Sequence, residues 1–254
     1  MNKPKKTRIA AVADIHVKDT DHGKWSAYFR SISEAADVLL ICGDLTDTGK
    51  ASEAEVLAEE LHACKIPVVA VLGNHDCERD EQEDIINVLC NDDIFILNGG
   101  AVTLCGVGFA GVKGFGGGFD RGMLSMFGEK MMKQFVQEAV DEALKLENAL
   151  VRLDSDYPGI KKIALLHYAP IKDTIIGEPD QIFPFLGCSR LAEPINRRKV
   201  DAVFHGHAHI GTFQGATGTG IPVYNVSKPV LQKKGMAQDF FIYEVDAMEI
   251  PQQL

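Results

Sequence analysis

Short apolar runs that break off abruptly in polar residues punctuate this chain. Thr7 to Ala13, Val38 to Cys42, Pro67 to Leu72, Ile163 to Leu166 and Val200 to His205 are each too short for a helix and read as buried strands. Between them, His22 to Ala36 carries apolar positions at helical spacing. Ser52 to Cys64 does the same, with Ser52 and Glu55 in capping-box spacing. The acidic run Glu78 to Glu83 opens a further helix to about Cys90, where negative side chains complement the N-terminal dipole. Ile94 to Leu97 and Ala101 to Ala110, separated by Asn98-Gly99-Gly100, predict a hairpin. Met123 to about Leu153 predicts a long helix or a broken pair, with Met131 and Met132 as core filler.

The loop Lys172 to Gly187, with Pro179 and Pro184, is expected to cover part of a pocket, and Ser189 to Arg198 reads as a helix distorted at Pro194. The tail offers Thr212 to Gln214, Ile221 to Val226 and Phe240 to Val245 as antiparallel strands that finish a sheet. Strands alternating with helices and then antiparallel strands suggest an α/β protein with two mixed β-sheets packed face to face and helices outside, an α-β-β-α sandwich. No internal repeat or linker divides residues 1–254, so one domain is expected.

Composition narrows the functions. With 46% hydrophobic and 24% charged residues the chain is an ordinary globular protein, and its net charge of -10 argues against a duplex nucleic-acid partner. A small anionic substrate is compatible if metals supply local positive charge. Cys42, Cys64, Cys77, Cys90, Cys105 and Cys188 show no CxxC pair, which reads as reduced, mostly buried thiols of a cytoplasmic protein. The basic start Met1 to Lys6 resembles a signal peptide, but Asp14 and His16 interrupt the apolar stretch after it, and no run approaches membrane-spanning length.

The candidate chemistry lies where the strands stop. The first run ends in Asp14-Ile15-His16, the second in Gly43-Asp44, the third in Gly73-Asn74-His75-Asp76, the fourth in His167 and the fifth in Gly206-His207-Ala208-His209. Polar residues at the ends of buried strands are where open α/β folds place their chemistry. Any one of these is ambiguous, since a His-x-His pair is more often two solvated or hydrogen-bonded histidines. Together they hold five of the eight histidines in the chain. The glycine-rich stretch Gly114 to Gly118 has neither GxxxxGK[ST] nor GxGxxG and reads as a mobile loop bordering the site.

In order and spacing these motifs resemble the calcineurin-like metallophosphoesterase family, over most of the chain from Asp14 to His209. The family pattern is Asp-x-His, Gly-Asp, Gly-Asn-His-Asp/Glu, a lone His and Gly-His-x-His. The resemblance implies the same four-layer fold and two metal ions, one held by Asp14, His16 and His209, the other by Asn74, His167 and His207, with Asp44 bridging both. The nitrogen and oxygen donor set fits Mn, Fe or Zn better than Mg or Ca. It further implies attack on phosphorus by a water shared between the metals, with His75 protonating the leaving oxygen and Asp76 orienting His75.

A hydrolase of small phosphoesters is therefore expected, with a lean toward phosphodiesters from the compact chain and the intact Gly-Asn-His-Asp motif. A phosphomonoesterase and a non-catalytic scaffold on the same fold are the alternatives. Cys77 and His205 are expected beside the site rather than in it, Asp47 either beside it or capping the helix that follows, and His22 and His62 on the surface.

Overall fold

The computed structural model describes residues 6–236 and 238–249. In chain order its elements are β1 (Lys6–Val12), α1 (Ser26–Ala35), β2 (Val38–Cys42), α2 (Ala51–Leu61), β3 (Val68–Val71), α3 (Gln82–Leu89), β4 (Ile94–Ile96), β5 (Gly100–Leu104) and β6 (Val107–Gly111). There follow α4 (Lys130–Asp156), β7 (Lys161–Leu165), the short α5 (Phe183–Leu186), α6 (Ala192–Arg198), β8 (Ala202–His205), β9 (Gln214–Ala216), β10 (Pro222–Asn225), α7 (Lys228–Lys233) and β11 (Phe241–Asp246). The basic start at residues 1–5 lies outside the described residues.

The strands form a five-stranded sheet, β11-β1-β2-β3-β4, and a six-stranded sheet, β5-β6-β7-β8-β10-β9. Side-chain alternation in the second sheet explains the layering. Val107, Phe109, Ile163, Leu165 and Phe204 face the first sheet and join one core with Ile9, Ala11, Leu39 and Val69. Their neighbours Ala110, Ala164, Leu166 and Val203 face the other way, onto Leu146, Leu150 and Leu153 of α4 and Ile195 of α6. On the far side of the first sheet, Phe29 and Ile32 of α1, Leu57 of α2 and Ile85 and Leu89 of α3 close the sandwich. The α-β-β-α order expected from the sequence is the one observed.

Several local expectations change. Asn98-Gly99 is not a hairpin turn but the passage between sheets: β4 pairs with β3 in the first, and β5 with β6 in the second. The hairpin lies inside the run read as one strand, at Cys105 and Gly106, with φ of 50° and 77°. That pair matches a two-residue turn whose twist suits the flanking strands. The tail is not a set of antiparallel strands finishing one sheet. β10 runs parallel to β8, while β11 crosses to the first sheet and covers the open edge of β1, pairing Thr7 with Val245.

At the start of α2 the N-cap is Lys50, so the capping glutamate is Glu53 rather than Glu55. Its carboxylate accepts from Lys50 N at 3.4 Å and from Thr48 N and Oγ1, both at 2.8 Å. Met131 and Met132 are exposed to 74% and 40% rather than packed, because α4 buries its stripe only from Val136 onward. Of the cysteines, Cys42 and Cys188 are buried and Cys64 and Cys77 half-buried, whereas Cys90 ends α3 and Cys105 sits in the hairpin turn, both exposed. Among the described residues no helix is long and apolar enough to cross a membrane.

Candidate metal centre

β1, β2 and β3 run parallel, as do β6, β7 and β8, so their C-terminal ends line one edge of the sandwich. At that edge the backbone turns sharply. Asp14, His16, Asp44 and His207 have φ of 59°, 46°, 51° and 69°, in the left-handed region that costs an L-residue free energy. Asp14 N donates to Gly43 O and His16 N to Asp44 O, both at 3.1 Å, so the first two strand ends hold each other in this shape. The glycines before the donors leave space for side chains. A Cβ on Gly206 would stand 2.6 Å from Asp14 Oδ2, and one on Gly73 would overlap the Asp44 carboxylate.

The strand ends bring two donor groups together. One contains Asp14, His16, Asp44 and His209, the other Asp44, His167 and His207, and within each group the ligand atoms lie within 4.8 Å of one another. Asp44 belongs to both. Asn74 adds its Oδ1 at 2.9 Å from His167 Nε2. His167 Nδ1 is 3.0 Å from the Cys42 carbonyl, an acceptor, and must carry the proton. Burial, followed by the charge of His207, pushes the His167 pKa well below its ordinary value, so Nε2 presents a lone pair. That lone pair faces Asn74 Oδ1 and, at 3.4 Å, Asp44 Oδ1. Among the described residues, only Asp44 Oδ1 of these three acceptors receives a hydrogen bond, from His75 N at 2.9 Å, and their convergence suits a cation by its chemistry.

The other ligands agree. His207 Nε2 donates to the Phe185 carbonyl at 3.2 Å, which leaves Nδ1 as its donor atom. His16 Nδ1 is buried with no hydrogen-bond partner, and burial lowers the pKa of this imidazole, favouring the neutral form that ligates. Asp44 is driven well above the carboxylate range by burial, then by the charges of Asp14 and Asp76. Burial would raise Asp14 too, but its contact with His209 and the nearby His167 and His207 hold it below that range. Asp14 and Asp44 repel one another in a buried site lined by imidazoles, and divalent cations fit here.

The sequence model of the calcineurin-like phosphoesterases matches residues 7–211, a span containing all these donors. The chain belongs to the calcineurin-like phosphoesterase family. Its fold is similar to that of the phosphopantetheinyl hydrolase from Mycobacterium tuberculosis, with TM-score 0.64 and 15% identity, covering 97% of each chain. TT1561 of Thermus thermophilus follows with TM-score 0.54, 17% identity and 94% and 99% coverage of this chain and that one. GAP50, the anchor in the inner membrane complex of Plasmodium, has TM-score 0.53 and 14% identity over 89% of this chain and 73% of its own. No curated protein sequence matches the chain.

Around the two donor groups the neighbouring residues take places that differ in part from expectation. The His75 ring lies 4.5 Å from that of His16, and its Nδ1 is 2.7 Å from the Asp47 carbonyl oxygen. The Asp76 carboxylate, expected on His75, is instead fully buried and accepts four hydrogen bonds. They come from Gly73 N at 2.7 Å, Thr46 N at 2.8 Å, Thr46 Oγ1 at 2.6 Å and Leu45 N at 3.2 Å. It ties the turn carrying Asp44 to the turn carrying Asn74. Asp47 does not cap α2; its carboxylate lies 3.5 Å from Lys18 Nζ and 3.9 Å from His16 Nδ1.

His205 is buried, with Nε2 2.7 Å from Thr174 Oγ1 and Nδ1 donating to Gly206 O at 2.9 Å. His22 and His62 are exposed. The sequence gives no sign of three main-chain supports: the carbonyls of Cys42 and Phe185, which hold His167 and His207, and that of Asp47, which holds His75. A main-chain acceptor has no signature in residue identity. Sequence reasoning also passed over Tyr168, whose ring packs 4.5 Å from that of His207, although its place after His167 was the available signal.

Proposed function

We propose that this phosphoester hydrolase is a single-domain phosphodiesterase acting on a small phosphodiester. The observation that carries the reading is the pair of donor groups sharing Asp44. The fold alone does not decide it, since GAP50 is an anchor on a similar fold. Asp14, His16 and His209 would hold one ion, Asn74, His167 and His207 the other, and Asp44 both, with Mn, Fe or Zn suited to donors lacking thiolate. When bound, such ions supply Lewis acidity to the phosphoryl oxygens and lower the pKa of water beside the phosphorus.

The chain's own groups do the rest. The Asp47 carbonyl can only accept, so His75 Nδ1 carries a proton and the ring is held with Nε2 free; as the imidazolium it would give its Nε2 proton to the leaving oxygen and remain as the neutral Nδ1–H ring. Asp76 acts as a positioning residue by fixing the two turns that present Asp44, Asn74 and His75. Support for a diester over a monoester comes from the compact chain and the intact Gly73-Asn74-His75-Asp76 run.

The test uses protein stripped of metal and reconstituted with Mn, assayed on bis(p-nitrophenyl) phosphate and p-nitrophenyl phosphate beside Asp44→Asn and His75→Ala variants. Metal-dependent diester turnover, lost in Asp44→Asn and reduced about 10²-fold or more in His75→Ala, is expected. No metal-dependent turnover on either ester overturns the enzyme reading. Turnover confined to the monoester makes the protein a phosphatase.

A further inference from the structure

Beside the metal centre, at the same strand-end edge, lies a cleft of about 410 Å³ with Leu72, Cys77, Leu97, Asn98, Lys113 and Lys145 among its walls. Leu72 directly precedes the Gly73-Asn74 turn. Lys113 is joined to the second ligand strand, its carbonyl accepting from His167 N at 2.9 Å and Tyr168 N at 3.0 Å. The cleft is thus lined by residues joined directly to the segments that carry Asn74 and His167.

Its charges are unevenly satisfied. Glu142 is buried and accepts from Gly114 N at 2.7 Å and Lys145 Nζ at 2.6 Å, so this pair neutralises itself. Glu83 and Glu138 are exposed, at the rim. Lys113 is half-buried, and among the described residues no carboxylate lies within ion-pair distance of it. Its Nζ donates to the Gly114 carbonyl at 3.0 Å and stands 5.3 Å from the ring centre of Tyr168, the ring that packs on the ligand His207. Withdrawing an ammonium group from water without a counter-charge is costly, and a ligand anion would remove that cost. Gln82, also on these walls, has a buried side-chain oxygen without a hydrogen-bond partner.

We propose that this cleft receives the part of the ester that is not attacked, and that Lys113 selects esters carrying a second anionic group on that part, a carboxylate or a further phosphate. The inference rests on the phosphoester-hydrolase reading above. The half-buried cation sits within two ring contacts of His207, so the second anion belongs on a short tether from the reacting phosphorus. The rim carboxylates turn away long polyanions, leaving a compact ligand with one extra charge.

The experiment uses the Mn-loaded protein and matched aryl phosphodiesters whose second arm is a short alkyl tether ending in a carboxylate, a phosphate or the neutral carboxamide. A charge-assisted hydrogen bond corresponds to about tenfold or more. The anionic arms are expected to exceed the carboxamide by that factor in kcat/KM, mainly through KM. Lys113→Met should abolish the preference, bringing kcat/KM for the anionic arms down to that of the carboxamide arm, and Lys113→Arg should keep it. Affinities of the corresponding non-hydrolysable phosphonates, by calorimetry, should show the same ratio.

Equal handling of all arms by the parent protein overturns the proposal without need of a variant. So does an equal loss on every arm in Lys113→Met. If binding shows the anion preference but no ester is hydrolysed, the Lys113 subsite stands and the hydrolase reading falls; hydrolysis without preference does the reverse.

Discussion

Replacing Asp76 by alanine tests how this site is held together. The carboxylate is fully buried and accepts from three main-chain N–H groups and the Thr46 hydroxyl. Alanine leaves all four donors without an acceptor. At roughly 1 to 3 kcal/mol for each unsatisfied buried group, and with water entering the vacated space, a loss of about 4 kcal/mol follows. Against a typical total of roughly 5 to 15 kcal/mol the variant still folds, and its Tm falls by roughly 8 to 16 °C. The turns bearing Asp44 and Asn74 lose their common anchor, so metal affinity drops by about 10- to 100-fold. Asp76→Asn keeps one acceptor oxygen but turns an amide donor toward two of the N–H groups, and falls between parent and alanine variant.

Urea unfolding and metal titration by calorimetry read the two effects separately. A variant within about 1 kcal/mol of the parent, with metal affinity unchanged, refutes the scaffold role. Loss of turnover with stability and metal affinity intact returns Asp76 to the role expected from the sequence, acting through His75.

Two further predictions concern positions that only the tertiary structure exposes. Glu60, on α2, accepts from the main-chain N of Gly23, Trp25 and Ser26 and from Ser26 Oγ at the start of α1. Burial would raise its pKa, but the hydrogen bonds outweigh it and hold it below the ordinary range. Its stabilisation is present above the unfolded pKa of about 4.3 and is lost as pH falls through the lower folded value. Glu60→Gln should therefore cost about 1.5 kcal/mol at neutral pH, with the gap closing in acid; a gap constant with pH in denaturation curves refutes the linkage. Gly206→Ala places a Cβ 2.6 Å from both Ala13 Cβ and Asp14 Oδ2, and Asp14 must move. About 1 to 3 kcal/mol of stability and affinity for the metal held by Asp14 should be lost. Normal binding of both ions in a Mn titration would show that the crowding is relieved elsewhere.

The sequence by itself determined most of the strands, the helices between them and which metal-ligating residue types stand at the strand ends. Buried strands such as Val38–Cys42 announce themselves because an apolar run bounded by glycine and aspartate has few other stable conformations. The donor residues were legible because each follows such a run, and because five of eight histidines gather there.

What the tertiary structure decided are the relations between elements distant along the chain. The sequence expected Phe240 to Val245 to finish a sheet together with the two segments before it, yet β11 leaves them and pairs with β1 at the opposite end of the chain. Strand propensity has no term for which open edge is nearest. Asp76 looked like a partner for its neighbour His75, yet its carboxylate is consumed by the backbone of residues 45, 46 and 73. Main-chain donors are the same at every residue, so only their arrangement in space shows which of them need an acceptor. The room that Gly206 leaves for Asp14, and Gly73 for Asp44, is likewise invisible in either residue alone. Residue identity states what chemistry a side chain can perform; the fold decides which neighbour makes use of it.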